Sequence, residues 1–301
     1  LNLRQTSQYV DGELRVGRNT CLESETCLEF EEVQLSDTRT LYSLAALACV
    51  VLSNAVFADE PLDDVLSTTF RIAQGDHSGT CFLLKARPVD PPEPQRFILA
   101  TAAHVLDQMS NEQCDLVLRS ETADAGYARK VVLLQIRDKG SARWTRHPDV
   151  DIATMLVTLP EDAAVRPFGL DDIADETRVA NRTIRVGREV WISCFPAKLE
   201  SNEAGWPVLR RGTIASHPLV PVKSVKTLFV DYSVFGGDSG APVTMLVDDR
   251  PLIVGVASAM QRQTDRSTLP FEEKTMHTPL ALSVVVQGAY LRETIELMYG
   301  K

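Results

Sequence analysis

Basic charge is in short supply in this chain. Lys and Arg number 31 against 41 Asp and Glu, a formal net charge of −10 at pH 7. General nucleic-acid binding needs a basic surface that displaces counterions from phosphates, so this balance argues against it. Histidine is scarce, with five residues, and no spacing of cysteines and histidines reads as a zinc site. No metal and no cofactor is expected. Methionine is absent before Met109, which points to a translation start at a non-AUG codon near Val33 or Leu35. One apolar run occurs near the N-terminus, from Leu41 to Phe57, and Asn54 interrupts it. Its length is near the lower limit for spanning a bilayer. It ends at Val56-Phe57-Ala58 ahead of Asp59-Glu60-Pro61, with Arg39 as a thin positive flank. A short apolar segment closed by small residues has the pattern of a secretory signal with its cleavage site. A membrane anchor and a buried helix are the alternatives. A lipoprotein attachment at Cys49 fits less well, because the apolar segment continues past it. The acidic stretch from Glu23 to Glu32 does not suit a signal n-region. The expectation is a secreted or periplasmic protein, cleaved near Ala58, with no stable membrane insertion afterwards.

The chain is 301 residues long, 44% hydrophobic and 24% charged, an ordinary globular balance with ample length for a core. Past Ala58 it reads as short strands punctuated by turn signals. Candidate strands are 68–74, 80–85, 96–100, 131–136 and 152–159, with 131–136 read as buried on both faces. A proline-rich loop, Pro88 to Pro94, cannot join a central ladder. Residues 160–187 show no strand alternation and read as a linker between two halves. Strands resume at 189–195, 208–216, 227–233, 242–247 and 252–258. Apolar spacing over 284–299 predicts a C-terminal helix. This is an all-β pattern closed by one helix, and composition alone does not choose between barrel and sandwich.

The most informative stretch is Phe235-Gly236-Gly237-Asp238-Ser239-Gly240-Ala241-Pro242. It sets a serine between glycines, on a backbone free to turn sharply and present its N–H groups. Upstream lie Thr101-Ala102-Ala103-His104 and His147-Pro148-Asp149-Val150-Asp151-Ile152-Ala153. A serine hydroxyl is a weak nucleophile that needs a base within hydrogen-bond reach and a group to orient that base. His104 would supply the base and Asp151 the orienting carboxylate. Asp149 competes for the second role. Asp151 is preferred because Asp-Ile-Ala heads an apolar strand that would hold it in place.

In the order His, Asp, Ser, these motifs resemble the chymotrypsin-like (trypsin-like) serine peptidases, particularly their compact bacterial branch. The resemblance covers roughly residues 66–283 and includes Ser78-Gly79-Thr80, Asp231 and Gly255-Val256-Ala257-Ser258. It implies two six-stranded antiparallel β-barrels with the active site between them, followed by the C-terminal helix. The domain reading is an N-terminal extension and signal over 1–58, a first barrel over 59–165, and a linker, second barrel and helix over 166–301. His104, Asp151 and Ser239 would form the triad. The backbone N–H groups of Gly237 and Ser239 would form the oxyanion hole. Ser233, Ser258 and Met260 would line the substrate pocket. Ser233 disfavours a basic P1 residue, and Ala257 departs from the histidine of glutamate-specific relatives. A small or medium apolar P1 is favoured. Ala241 departs from the usual glycine.

Three of the six cysteines, Cys81, Cys114 and Cys194, remain after cleavage, and an odd number leaves one unpaired. Cys81 and Cys114 bracket His104, and the resemblance implies a disulfide between them. Cys194 reads as a buried strand cysteine. Asp238 has no activation sequence to supply a new N-terminal amine, so it is read as capping its own turn. The function expected is an exported serine endopeptidase acting on protein or peptide substrates. The alternative is a silent or zymogen-like protein that binds peptides on the same fold. The Gly-x-Ser-x-Gly pattern and Ser-Asp-His order of α/β-hydrolases are absent.

Overall fold

A computed structural model of the chain describes residues 5–10, 13–18, 61–88, 95–269 and 272–300. The apolar run, the acidic stretch, Cys49, the Ala58 cleavage site and most of the proline-rich loop lie outside the described residues. The chain divides into two units, Leu1–Ala58 and Asp59–Lys301. In the first, β1 (Gln5–Val10) and β2 (Glu13–Arg18) pair as an antiparallel hairpin.

The second unit opens with α1 (Pro61–Ser67) and the hairpin β3 (Thr69–Gln74) and β4 (His77–Lys85). Only Gly75 and Asp76 separate the strands, and Gly75 takes φ +57°, as a two-residue hairpin turn requires. There follow β5 (Arg96–Thr101), α2 (Ala103–Asp107), β6 (Gln113–Glu121) and β7 (Tyr127–Gln135). Short pieces β8 (Arg137–Asp138), β9 (Ser141–Ala142) and β10 (Thr145–Arg146) lead to β11 (Ala153–Thr158). Seven of these strands form one sheet in the order β10-β11-β5-β4-β3-β6-β7.

Residues 160–187 carry a short 3-10 turn and α3 (Glu176–Ala180), whose N-terminus is capped by the Asp175 carboxylate accepting from Arg178 N–H. The remaining strands are β12 (Glu189–Cys194), β13 (Val208–Ile214), β14 (Thr227–Asp231), β15 (Pro242–Val247), β16 (Arg250–Leu269) and β17 (Glu272–Gln287). They close into a six-stranded barrel ordered β12-β13-β14-β17-β16-β15. Helix α4 (Gly288–Met298) ends the chain. The fold is therefore mostly β with a C-terminal helix, as expected. One half is a closed six-stranded barrel and the other a seven-stranded sheet, where the resemblance implied two six-stranded barrels.

Three apolar clusters organise the unit. One packs against the seven-stranded sheet, around Phe70, Leu99 and Leu116. A second fills the barrel, around Ile192, Val230 and Val243. The third, with Phe82, Ile98, Ile253 and Val256, lies between sheet and barrel and takes in Tyr290, Leu291 and Ile295 of α4. Burying such side chains stabilises by roughly 1.5–3 kcal/mol each. This shared layer joins the two halves into one body.

Two expectations need correction. Strand β7 is not buried on both faces: Val131 is 51% and Leu133 63% exposed. Exposure alternates along the strand, so one face packs against the protein and the other meets water. Cys81 and Cys114 are not bridged; with Cys194 they are buried free thiols. Strand β3 lies between their strands, Cys81 opposite Phe70 and Cys114 beyond Asp115, which pairs with Ala73. Strands sit about 4.8 Å apart, so a cysteine pair two strands apart exceeds the roughly 7 Å Cα separation a disulfide tolerates. Burial raises the Cys81 thiol well above its ordinary value, and raises Cys114 to about 12.

Arg119 is a buried cation that, among the described residues, forms no direct ion pair, although the Glu200 charge acts on it. It stacks between Phe70 and Trp206 and donates to the carbonyls of Thr69 and Gly205 at 3.0 and 3.1 Å. Burial lowers its pKa to about 10. It fastens the residues after α1 to the 200–206 loop.

Candidate functional site

His104 sits in the first turn of α2, at the end of β5, where the chain leaves the sheet. Asp151 sits just before β11, the antiparallel neighbour of β5, with Ala153 opposite Thr101. That register sets the two side chains together. Asp151 Oδ1 accepts from the His104 backbone N–H at 2.9 Å, and Oδ2 lies 2.6 Å from His104 Nδ1. An ionised carboxylate can only accept, so Nδ1 carries the proton and Nε2 is left as an acceptor. Ser258 Oγ also donates to Asp151 Oδ2, at 2.7 Å. Burial opposes ionisation of Asp151, but the bonds from His104 and Ser258 overcome it and hold the carboxyl at about 2. Asp149 points elsewhere, to Lys226 Nζ at 3.0 Å.

Ser239 lies in the turn between β14 and β15. Its Oγ donates to the Ser258 carbonyl at 3.2 Å. Among the described residues no hydrogen bond joins Ser239 to His104. The loop is fastened from both halves. Thr80 on β4 donates its N–H to Ser239 O at 2.9 Å and its Oγ1 to Gly237 O at 2.7 Å. Gly237 takes φ +101°, and a Cβ there would collide with the Phe195 carbonyl. Both constraints demand glycine. Ala197 N–H donates to Gly236 O at 2.6 Å. Because a trans peptide points its C=O and N–H in opposite directions, this turns the Gly237 N–H away from Ala197. Among the described residues, neither Gly237 N–H nor Ser239 N–H donates a hydrogen bond. Two unpaired N–H groups thus lie next to the serine.

Beneath the loop lies Asp238, whose side chain is fully buried. Its Oδ2 accepts from Phe235 N–H at 2.9 Å and from Arg210 Nη1 at 3.1 Å. It does cap its own turn, and it also has a cationic partner on β13 that the sequence reading missed. Burial raises the Asp238 pKa, despite the Phe235 bond, the Cys194 thiol and the Arg210 charge that lower it. Desolvation is the larger effect here, since its other oxygen has no hydrogen-bond partner. Arg210 packs its guanidinium over Tyr232 and Phe235, 5.0 and 5.3 Å from the ring centroids.

A cavity of about 70 Å³ opens beside Ser239. Its walls include Val234, Ala257, Ser258, Met260 and Ser283. Ser258 and Met260, named from the sequence as substrate-pocket residues, both line this cavity. Ser233 is exposed and lies outside the lining, with Val234 in its place. Ser283 was not foreseen; it sits opposite Met260 in the β16–β17 ladder. Among the described residues no helix is long and apolar enough to cross a membrane.

No protein-family model matches this chain, and no curated protein matches it. One solved structure it is similar to is that of Rv3671c from M. tuberculosis H37Rv, a serine-to-alanine mutant in an inactive form. The identity is 14% and the TM-score 0.44, over 82% of this chain and 95% of that chain.

Proposed function

We propose that the chain is a serine endopeptidase of the chymotrypsin-like type, with His104, Asp151 and Ser239 as its triad. The observation that carries the proposal is the Asp151 carboxylate. It takes three hydrogen bonds, two of them from His104, and leaves Nε2 as the free acceptor on a ring 36% exposed to solvent. Fixing the tautomer in this way is what a general base at a serine requires.

In the proposed reaction, Ser239 Oγ leaves the Ser258 carbonyl, gives its proton to His104 Nε2 and attacks the carbonyl carbon of the scissile peptide. The oxyanion takes the N–H groups of Gly237 and Ser239. His104 then protonates the leaving amine, and an acyl-enzyme remains. Water attacks the ester as His104 takes its proton, and His104 then returns a proton to Ser239 Oγ as the acid product is released. Asp151 stays ionised throughout. The small cavity suits a small apolar P1 residue. Arg210 substitutes for an activating N-terminal amine at Asp238, so no proteolytic cut is needed to order the loop. Export by the apolar segment before Ala58 belongs to the same proposal.

One observation favours the second reading, a silent peptide-binding protein: the Ser239 hydroxyl is bonded to Ser258 and not to His104. Turnover separates the two. Peptide anilides with Ala or Val at P1 should be turned over, the matching p-nitrophenyl esters should show an initial burst equal to the enzyme concentration, and Ser239→Ala should abolish both. Peptide binding without turnover by the wild-type chain would select the second reading.

A further inference from the structure

Strand β16 does two things along its length. From Arg250 to Val256 it pairs with β15 as a barrel strand, and from Gly255 onward it pairs with β17. It then lines the cavity with Ala257, Ser258, Ala259 and Met260. Beyond that it leaves the barrel as a ribbon with β17, paired from Arg262–Pro279 through Leu269–Glu272. Residues 262–268 and 273–280 are all exposed. Within the described residues, no strand pairs with the other edge of β16 past Ala257. A free edge of this length is a template for another chain, and proteins usually blunt such edges. A lone two-stranded ribbon is marginally stable, and a third strand would reinforce it.

We infer that this edge binds the acidic, extended part of a peptide on the N-terminal side of the residue that enters the cavity. The inference rests on reading the cavity and Ser239 as a peptide site. The direction follows from the geometry. Strand β16 runs away from Ser239, whereas the N-terminal part of a substrate runs toward it, so the two pair antiparallel. Antiparallel addition is also the more stable arrangement.

The charge preference comes from Arg262 and Arg266. They are four residues apart, so they share one face of the ribbon, roughly 13 Å from each other. Among the described residues neither side chain has an ion pair or a hydrogen bond. Asp265 lies on the opposite face and accepts from Gln263 Nε2 at 2.9 Å. On the arginine face Thr264 is bonded to His277 at 2.8 Å, and Glu273 stands opposite Thr268, at the end away from the cavity. Directly opposed residues in an antiparallel ladder share a face. Acidic residues about four and eight positions before the cavity residue would therefore meet the two guanidiniums.

The test uses the full chain with Ser239→Ala and a fluorescein-labelled ten-residue peptide, read by anisotropy. The peptide carries Ala for the cavity and Asp four and eight positions before it. It should bind about three- to tenfold tighter than the same peptide with Asn at both places, as two exposed ion pairs allow. Arg262→Ser with Arg266→Ser should remove that difference. N-methylating alternate amides of the peptide between the two Asp should weaken binding further, because it deletes ladder hydrogen bonds. Equal affinity for the Asp and Asn peptides, no effect of the double substitution, or no binding of either peptide overturns the inference. Absence of turnover in the wild-type chain leaves this binding result standing and counts only against the hydrolase reading. Turnover that ignores the two arginines counts only against the ribbon.

Discussion

Two carboxylates near Ser239, Asp151 and Asp238, sit in different surroundings. Asp151, at the edge of the cleft, keeps 25% of its side chain exposed and takes hydrogen bonds from an amide, an imidazole and a hydroxyl. Those donors outweigh its burial, and the group is held at about 2. Asp238, directly beneath the loop, has no exposed side-chain area and one oxygen without a hydrogen-bond partner. There burial outweighs its partners and the pKa rises. The balance between burial and hydrogen bonding decides the sign. Under the proposed mechanism, the carboxylate that stabilises the transient imidazolium is kept anionic at a partly exposed spot. A carboxylate meant to hold a loop is sealed in, where its charge costs stability unless Arg210 stays beside it.

The comparison can be broken first at Asp151. Asp151→Asn should leave folding nearly intact but reduce turnover by about 10⁴, because an amide can hold the ring in the wrong tautomer. Steady-state kinetics beside a thermal melt checks this; a loss under tenfold would put another group in the role. Gly237→Val acts on the loop that Asp238 supports. The side chain would meet the Phe195 carbonyl and tilt the peptide, costing about 10²–10³ in kcat.

At Asp238 the effect is on stability. Arg210→Met strips a buried carboxylate of its cation and should cost about 3–5 kcal/mol in urea unfolding, with slower serine labelling. Arg210→Lys should recover part of both. An unchanged midpoint in Arg210→Met would mean Asp238 does not depend on that cation. The smallest effect is in acid. The folded pKa of Asp151 lies below the ordinary carboxyl value of about 3.9. Its stabilisation is therefore complete above about pH 4 and lost as pH falls through about 2. That amounts to roughly 2 kcal/mol, which Asp151→Asn should delete from the acid limb of the stability curve.

Much of this was legible in the sequence because the information was local. The glycines around Ser239, the strand heading from Asp151 and the helical turn at His104 each sit within a few residues of the chemistry. Ser258 was placed by its motif. Arg210 was not legible, since its pairing with Asp238 spans 28 residues and joins a barrel strand to the turn that carries Ser239. Ser233 was expected in the cavity and Val234 lines it instead, because moving one residue along an extended chain turns a side chain to the other side. Strand β6 and the outer half of the β16–β17 ribbon were missed for opposite reasons. The first alternates too weakly between its buried and exposed positions, and the second faces water on both sides, so no apolar period marks it. The same two-sided exposure leaves the Arg262 and Arg266 edge free.

The most direct test of the central claim is labelling with a fluorophosphonate, followed by peptide mapping, on the wild-type chain, Ser239→Ala and His104→Ala. The account predicts a single adduct on Ser239, absent in the first variant and strongly slowed in the second. A folded wild-type chain that takes no label, or takes it at another serine, would contradict it.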